Sequence, residues 1–446
     1  MANIAIAAAP SNLVTPASSH QTLGGLRKRY LEDARHAIGR DEAPKSKRTA
    51  IETTPGPDIQ WNPSFETYQA RVEALSKLDI ERPTTLPGGF PESIESSRVW
   101  TGADFGDEAK FVMRLDEAQV LEIDRALSYF KTRRPRLGLD EVSRQMFPLP
   151  TLKLKLKNIS RNLHFGIGFS VIRGLDPRRY SAFDNVIIYL GITSYVAEQR
   201  GCQDSEGNML IHIKDLGDER PNSELRQAPY ARNAQPFHTD VCDILAMYVQ
   251  NQAPEGGESH LASCGKIYND IARTRPDVIH TLAEPNWIFD KHQKPAYWNR
   301  RQLLFNFKDH GPGFCFSRRP ITGSPASPRS PGVPPMTEVQ AEALDMVHFT
   351  AVEHKLTMQL QRGDIQLINN LAVFHARSGF RDTPMQKRHI MRLWLRNEEL
   401  AWQTPEGLQR TWFEKYGDSE RRKIAKWNAY AGATRERILS RSHSCS

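Results

Sequence analysis

The sequence predicts an α+β fold with a mainly β catalytic core and flanking helices. Three observations support this prediction: apolar residues at helical spacing, strand-like segments further along the chain, and metal-ligand residue types placed beside those strands. The chain has 446 residues, of which 39% are hydrophobic and 25% are charged. This composition is typical of a globular protein with a sizeable core.

Apolar residues recur every three or four positions in several segments, as they do on the buried face of a helix. Phe65, Tyr68, Val72, Leu75 and Leu78 form the first such series. The segments predicted as helices are 65–78, 114–131, 151–164, 185–197 and 337–361.

Other apolar runs are bounded by turn residues and are predicted as strands of the core. In the last of them, alternation places Arg388, Arg392 and Arg396 on one face together with Ile390 and Trp394. Because apolar residues are interleaved with these arginines, the face is partly enclosed, and enclosed arginines need anions. The predicted strands are 169–174, 365–375 and 388–396.

A candidate metal site comes from the tripeptide His238-Thr239-Asp240 and from His375 far downstream. In a strand, residues i and i+2 face the same side, so His238 and Asp240 can converge on one ion while Thr239 points away. Two histidines and one carboxylate form the ligand set of non-haem Fe(II) oxygenases. We therefore predict that His238, Asp240 and His375 bind one metal ion.

Around these residues, from about 236 to 397, the sequence resembles the taurine dioxygenase and TfdA-like family of Fe(II)/2-oxoglutarate-dependent oxygenases. The resemblance is carried by Phe237-His238-Thr239-Asp240, Gly256-Gly257-Glu258-Ser259, the pair Asn370 and His375, and Arg388-x-x-x-Arg392. The resulting picture is a double-stranded β-helix, also called a jelly-roll or cupin-like barrel. Its antiparallel sheets would bring the early and late motifs to one mouth.

The resemblance implies Fe(II) as cofactor, with 2-oxoglutarate and O2 as co-substrates. It also implies that Arg388 holds the distal carboxylate of 2-oxoglutarate and that Ser259 shares it. Here Ser259 replaces the family's Thr and Glu258 replaces its Asp. The second arginine of the last motif, Arg392, would receive an acidic group of the primary substrate.

The reaction implied is oxidative decarboxylation of 2-oxoglutarate coupled to hydroxylation, or related C–H oxidation, of a small organic substrate, with an anionic substrate as one option. Two alternatives stay open. The first is a 2-oxoglutarate-dependent demethylase acting on nucleic acid or protein, although no reader motif is visible. The second is a metal-dependent, non-redox cupin-like enzyme, against which Arg388 argues because such an enzyme needs no 2-oxoglutarate anchor.

The chain is predicted to divide into four parts. Residues 1–60 lack apolar periodicity and are predicted to be disordered. Residues 61–150 form a helical extension that packs on the core, 151–420 form the dioxygenase domain, and 421–446 form a basic tail. Within the dioxygenase domain, the Ser/Pro-rich insertion 320–335 is predicted to lack regular structure and to be a surface loop or a lid.

Composition also limits the partners. The net charge of +8 comes from scattered basic runs without interleaved aromatics, so no nucleic acid is expected. No stretch approaches the roughly 20 apolar residues that span a bilayer, so no membrane association is expected. A small-molecule substrate is the expected partner, and a homo-oligomer stays open.

The five cysteines show no Cys-x-x-Cys spacing, which favours a reducing, cytoplasmic location. No acidic residue precedes Glu32, which leaves a mitochondrial leader open, and the basic run 45–48 leaves a nuclear location open.

Overall fold

β-Strands form the centre of the described chain, which in the computed structural model comprises residues 59–133, 138–216, 228–292 and 295–430. The strands are β1 (Val112–Arg114), β2 (Phe169–Arg173), β3 (Gln199–Arg200), β4 (Ile211–Ile213), β5 (Gln235–His238), β6 (Ile244–Asn251), β7 (Glu255–Gly256), β8 (Ser259–Ser263), β9 (Trp287–Asp290), β10 (Trp298–Arg301), β11 (Leu304–Phe307), β12 (Gly311–Phe314), β13 (Leu356–Met358), β14 (Ile365–Asn369), β15 (Val373–Arg377), β16 (Phe380–Arg381) and β17 (His389–Arg396).

Helices flank the strands. They are α1 (Phe65–Ser76), α2 (Glu117–Arg133), α3 (Leu152–Phe165), α4 (Ala182–Ser194), α5 (Cys264–Thr274), α6 (Pro276–Ala283), α7 (Arg319–Thr322), α8 (Glu338–His354), α9 (Glu406–Tyr416) and α10 (Glu420–Lys423).

Two sheets carry the residues of interest. The larger has the order β1-β2-β14-β6-β17-β3, with β4 also paired to β17, and apart from the parallel β1–β2 pair its strands are antiparallel. The smaller has the order β13-β8-β15-β5 and is antiparallel throughout. This mainly β core with flanking helices confirms the predicted α+β class.

The alternation predicted for β17 is confirmed. Met391, Leu393 and Leu395 are buried in a cluster with residues of α2, α3 and α4. Trp394 is buried in a different cluster, and Arg392 lines a cavity. One face of β17 therefore packs on the helices, and the other faces the interior between the sheets.

The segment 365–375 forms two strands rather than the single strand that we predicted. β14 ends at Asn369 in the larger sheet, and β15 begins at Val373 in the smaller sheet. The amides of Asn369 and Asn370 mark the change of sheet, because both are buried and donate hydrogen bonds to backbone carbonyls. His375 consequently lies in the middle of a strand rather than at its end.

The helix predicted over 337–361 is too long. α8 ends at His354, and β13 follows at once and pairs with β8. Leu356, Met358 and Leu360 lie at strand spacing, whereas Leu356 and Leu360 also fit the helical period. Spacing alone therefore could not distinguish the two structures at this point.

The Ser/Pro-rich segment 320–335 is only partly irregular. Its first three residues belong to α7, where Pro320 occupies a helix start that tolerates proline. The rest is fixed by hydrogen bonds, including Arg329 Nη1 to the Ile321 carbonyl (2.7 Å) and Ser330 N–H to Asp290 Oδ2 (2.6 Å). All of 320–335 is described, and no residue of it belongs to the wall of the cavity beside His238 and His375.

The four-part division of the chain stays a prediction. Residues 1–58, which include nearly all of the predicted disordered segment, and residues 431–446 of the predicted tail lie outside the described residues. The described residues belong to one compact unit. Within them, no helix is both long enough and apolar enough to cross a membrane.

Candidate metal and co-substrate site

His238, Asp240 and His375 come together in the smaller sheet. His238 ends β5 and is the direct antiparallel partner of His375 on β15, with the two ring centroids 4.1 Å apart. One ligand atom from each of the three residues lies within 4.8 Å of the other two. Asp240 lies two residues beyond the end of β5 rather than inside a strand, yet it still reaches the same point.

Hydrogen bonds hold the turn that carries Asp240. Its backbone N–H donates to Asn370 Oδ1 (2.7 Å), and Asn370 Nδ2 donates to the carbonyls of Asp240 (2.5 Å) and Cys242 (3.0 Å). Thr239 points away, since its Oγ1 accepts the Phe316 N–H (2.8 Å). Because Asn370 lies just before β15, one side chain links the turn to the strand that carries His375.

The Asp240 carboxylate is fully buried, and one of its oxygens is already bound. Oδ2 accepts hydrogen bonds from Arg392 Nη1 (3.0 Å) and Trp394 Nε1 (2.9 Å). Oδ1 lies 3.9 Å from His238 Nε2 and has no hydrogen-bond partner in the described chain. Burial by itself would raise the pKa of Asp240, but Arg392, the two histidines and Trp394 hold it below its usual range. The carboxylate is therefore ionised, with one oxygen available to a metal.

Both histidines are neutral at neutral pH. Burial lowers the pKa of His375 to about 3 and also lowers the pKa of His238. His238 Nδ1 donates to the Pro236 carbonyl (2.9 Å), which leaves its Nε2 as a lone-pair donor on the Asp240 side. Within the described residues, His375 Nδ1 is buried and unpartnered. Two neutral imidazoles and a carboxylate with an unused oxygen fit the ligand preference of Fe(II).

Arg388 lies in the wall of the cavity that adjoins the two histidines. Its guanidinium is buried, and Nη1 has no acceptor among the described residues. Burial lowers the pKa of Arg388 to about 10, so the side chain stays charged at neutral pH. Gly257 has a φ of 78°, and a Cβ at this position would lie 3.3 Å from Arg388 Nε, so the glycine leaves room for the arginine. A buried cation that forms no ion pair with the described residues makes this a site for an anion.

Ser259, the predicted partner of Arg388, lies in the same cavity wall as the first residue of β8. Its hydroxyl is within hydrogen-bond distance of both ends of the Gln366 amide, at 3.2 Å from Oε1 and 3.1 Å from Nε2. Gln366 is fully buried in β14 and was not identified from the sequence. A buried glutamine in an otherwise apolar strand was the signal that could have indicated it.

Arg392 makes contacts that differ from those we expected. Its Nη1 donates to Asp240 Oδ2, and its Nε donates to Gln203 Oε1 (2.8 Å). Gln203 in turn donates to the backbone carbonyl of Arg392 (2.8 Å). The carboxylate that faces this arginine is therefore a predicted metal ligand of the protein rather than a substrate group.

Trp61, Arg319 and Arg377 are among the residues of the cavity wall that were not identified from the sequence. Arg377 follows His375 by two positions on β15, so strand alternation could have identified it. Its guanidinium donates to the carbonyls of Ala231 and Asn233. Trp61 and Arg319 have no such signal, because Trp61 precedes α1 in an irregular segment and Arg319 begins a single helical turn.

This fold and this site define the chain as a non-haem Fe(II)/2-oxoglutarate-dependent dioxygenase. Residues 135–394 match the family described as taurine catabolism dioxygenase TauD, TfdA family. The chain belongs to this family, as its motifs predicted, and its cofactor and co-substrate are Fe(II) and 2-oxoglutarate.

Two curated relatives agree with this assignment. The taurine hydroxylase-like protein SAT17 of Stachybotrys chartarum is 37% identical over 355 residues, covering 77% of this chain and 89% of the relative. The FR-33289 synthase of Streptomyces rubellomurinus is 26% identical over 338 residues, covering 71% of this chain and 93% of the relative.

Among solved structures, the asparagine oxygenase in complex with Fe(II), 2S,3S-3-hydroxyasparagine and succinate superimposes with a TM-score of 0.50 at 15% identity. The match covers 64% of this chain and 93% of the oxygenase. A likeness at this identity concerns the fold, and it confirms the predicted double-stranded β-helix.

Proposed function

We propose that the chain hydroxylates, or otherwise oxidises at a C–H bond, a small organic substrate at the expense of 2-oxoglutarate and O2. The observation that carries this proposal is the Arg388 guanidinium, which is buried and charged in the cavity that His238 and His375 also line and forms no ion pair with the described residues. A metal site of a non-redox enzyme would have no use for this cation.

In this proposal, His238, Asp240 and His375 bind the iron, with His238 Nε2 and Asp240 Oδ1 as two of the ligand atoms. When bound, Fe(II) supplies the oxidation of 2-oxoglutarate by O2 to succinate and CO2 and the oxidation of the substrate C–H bond. Arg392 and Trp394 donate hydrogen bonds to Asp240 Oδ2. These bonds fix the orientation of the carboxylate and keep it ionised, so that Oδ1 can bind the iron.

Arg388 and Ser259 bind the distal carboxylate of 2-oxoglutarate. A guanidinium can form a bidentate, charge-assisted pair with a carboxylate, and a serine hydroxyl can donate one further hydrogen bond. Gln366 orients that hydroxyl, because its amide contacts Ser259 Oγ. The buried Nη1 of Arg388, which has no acceptor among the described residues, would thus gain one from the bound carboxylate.

A small-molecule substrate is supported by the cavity and by one relative. Between the polar residues, the cavity wall is formed by apolar side chains, including Leu245, Met247 and Ile390. The name of the Stachybotrys relative refers to taurine, a small molecule. A homo-oligomeric state and a cytoplasmic, mitochondrial or nuclear location remain predictions from the sequence.

The proposal is tested by adding 2-oxoglutarate to the Fe(II)-loaded protein under anaerobic conditions. We expect the visible charge-transfer absorption of an iron-bound 2-oxo acid, which is then lost when O2 is admitted. A panel of small organic molecules is next screened for faster succinate release. The absence of the absorption would overturn the assigned site, and stimulation only by methylated peptide or nucleic acid would support the demethylase alternative.

A further inference from the structure

A second arginine without an acceptor, Arg319, lies in the wall of the cavity that contains the predicted metal ligands. Only 5% of Arg319 is exposed, and its Nε is buried without a partner in the described chain. Of the other two arginines of the wall, Arg392 pairs with Asp240, and Arg377 donates through Nη2 to two backbone carbonyls while its buried Nε has no partner among the described residues. Arg319 differs from both, because no hydrogen bond or ion pair joins its guanidinium to the described residues, so it is the cavity arginine left for a second anion once Arg388 has bound 2-oxoglutarate.

The preceding residue fixes Arg319 in place. Arg318 is 1% exposed, and its Nη1 donates to Asp345 Oδ1 on α8 (2.7 Å). Asp345 is also bound by Arg71 of α1 (2.9 Å), so this anchor joins two helices. A cation presented from such a fixed turn loses little conformational freedom when it binds a ligand.

The same anchor places an aromatic side chain at the cavity. Arg318 Nη2 donates to the Gln60 carbonyl (2.8 Å), and the next residue, Trp61, lines the cavity together with Arg319. The N-terminal segment thus contributes a wall to a site whose other residues come from the sheets.

Arg319 and Arg388 reach the cavity from different elements of the fold. Arg319 begins α7 and lies in the wall together with Ser317 and Trp61. Arg388 instead lies over the Phe380 ring, at 5.2 Å from its centroid, and beside Gly257. The cavity thus receives two cations from separate segments of the chain, and the Arg319 variants below distinguish a second anion site from a shared one.

We infer that Arg319 binds an anionic group of the primary substrate, while Trp61 contacts the carbon skeleton that carries this group. The inference rests on the proposed function and specifies its substrate class: a carboxylate, sulfonate or phosphonate on a short, largely apolar skeleton. The skeleton would pack on the apolar side chains of the wall, which are Trp61, Ile213, Leu245, Met247, Leu360 and Ile390. Arg319 thus takes the role that the sequence resemblance assigned to Arg392.

The test uses four probes of similar length: pentanoate, butane-1-sulfonate, butylphosphonate and the neutral pentanamide. Each is titrated anaerobically into the Fe(II)- and 2-oxoglutarate-loaded protein, and the change in the charge-transfer absorption gives its affinity. We expect at least one anion to bind and pentanamide to bind much more weakly. The anion that binds most tightly indicates whether the substrate carries a carboxylate, a sulfonate or a phosphonate group.

Arg319→Gln should lower the affinity for the preferred anion about 10²-fold, because truncating one partner of a buried charge pair leaves the other charge uncompensated. Arg319→Lys should recover part of that affinity, since it restores the charge without the planar fork of donors. Arg232→Gln is the matched control, because the Arg232 side chain is exposed in the loop before β5. In this control and in the Arg319 variants, iron content and 2-oxoglutarate affinity should match those of the unchanged protein.

Three results would overturn the inference. In the first, the anions bind Arg319→Gln as tightly as the unchanged protein. In the second, no anion binds although the 2-oxoglutarate absorption forms, which removes the anionic substrate class but leaves the proposed function intact. In the third, Arg319→Gln loses 2-oxoglutarate rather than the probe. If the absorption fails to form in the unchanged protein, the proposed function fails and the inference fails with it.

Discussion

Arg392 Nη1 on the larger sheet lies 3.0 Å from Oδ2 of Asp240, which follows a strand of the smaller sheet. Both partners are buried, and the contact joins the two sheets at the predicted metal site. The guanidinium keeps the carboxylate ionised and leaves Oδ1 available. The motif position to which the resemblance assigned substrate recognition thus contacts a predicted metal ligand in this chain.

We expect Arg392→Gln to weaken iron binding about 10- to 100-fold, the usual cost of removing a partner that holds a metal ligand. The pKa of Asp240 should rise at the same time, because its nearest positive charge is lost. The measurement is competition for Fe(II) against a chelator under anaerobic conditions. Trp394→Phe is the matched control: it removes the other hydrogen bond to Oδ2 without changing the charge, and its effect should be smaller. Unchanged iron affinity together with a lost response to anionic probes would return Arg392 to the substrate-binding role.

Replacing His375 by Ala should remove iron and activity together, because His375 supplies one of the three groups that converge on one point. Iron per protein is measured by mass spectrometry after desalting. The control is His260→Ala on the neighbouring strand β8, whose ring contacts Thr357 and Ser378 instead. The control should keep its iron. Retention of both iron and the 2-oxoglutarate absorption in the His375 variant would make His375 a core histidine.

Arg388→Gln should weaken 2-oxoglutarate binding about 10²- to 10³-fold while iron stays bound, because breaking a buried ion pair costs roughly 3–5 kcal/mol. Anaerobic titration of the charge-transfer absorption measures the affinity. Arg381→Gln is a suitable control, since the Arg381 side chain is 79% exposed and lies on the nearby strand β16. Normal affinity in the Arg388 variant would place the co-substrate anchor elsewhere, with Arg319 as the next residue to test.

Ser259 permits a finer test of the same anchor. Ser259→Ala removes one hydrogen bond to a charged group, which is worth about 1.5–3 kcal/mol, so 2-oxoglutarate affinity should fall about 10- to 100-fold. Ser259→Thr keeps the hydroxyl and should stay near the original affinity. If Ala and Thr behave alike, the contact between Ser259 and Gln366 is structural only.

The residues that could be predicted were those whose role depends on local spacing. The faces of β17 follow strand alternation, and His238 and Asp240 converge as their spacing predicted, although Asp240 lies beyond the end of β5. The motif resemblance then indicated which distant residues meet. These signals were sufficient to predict the fold class, the family and the group of three candidate metal ligands that the structure brings together.

The rest depends on contacts between distant segments, which spacing does not encode. Arg392 pairs with a residue 152 positions away, and Arg318 holds a carbonyl 258 positions away. Likewise, the segment 365–375 passes from one sheet to the other at Asn369 and Asn370, and two polar residues inside an apolar run did not by themselves distinguish a turn between strands from polar positions within one strand. Buried polar residues in apolar strands, such as Gln366, were the remaining signal for such positions.

The final prediction concerns a histidine pair that β17 forms with β4, in which His212 is buried and His389 is partly buried. His212 Nε2 is 2.6 Å from the Asn428 carbonyl and must donate to it, so the neutral ring accepts at Nδ1 the proton of His389 Nε2, 2.8 Å away. Burial lowers the pKa of His389 to about 3, and the charges of His212, Lys214 and Arg388 contribute to this shift. In the unfolded chain, the same histidine takes up a proton near pH 6.5.

Because the unfolded state binds this proton first, the free energy of unfolding should fall as the pH decreases below 6.5, by about 2 kcal/mol for this one histidine between pH 7 and pH 5. His389→Gln cannot be protonated and keeps a donor for His212, so it should lose less stability on acidification than the unchanged protein by roughly that amount. Urea unfolding of the iron-free proteins at pH 8, 7, 6 and 5 measures the difference. From pH 8 to pH 7 the difference in the free energy of unfolding between the two proteins should stay nearly constant, because His389 is then largely neutral in both the folded and the unfolded chain. If it also stays constant down to pH 5, His389 accepts its proton as readily in the folded protein as in the unfolded chain, and the pair does not oppose protonation.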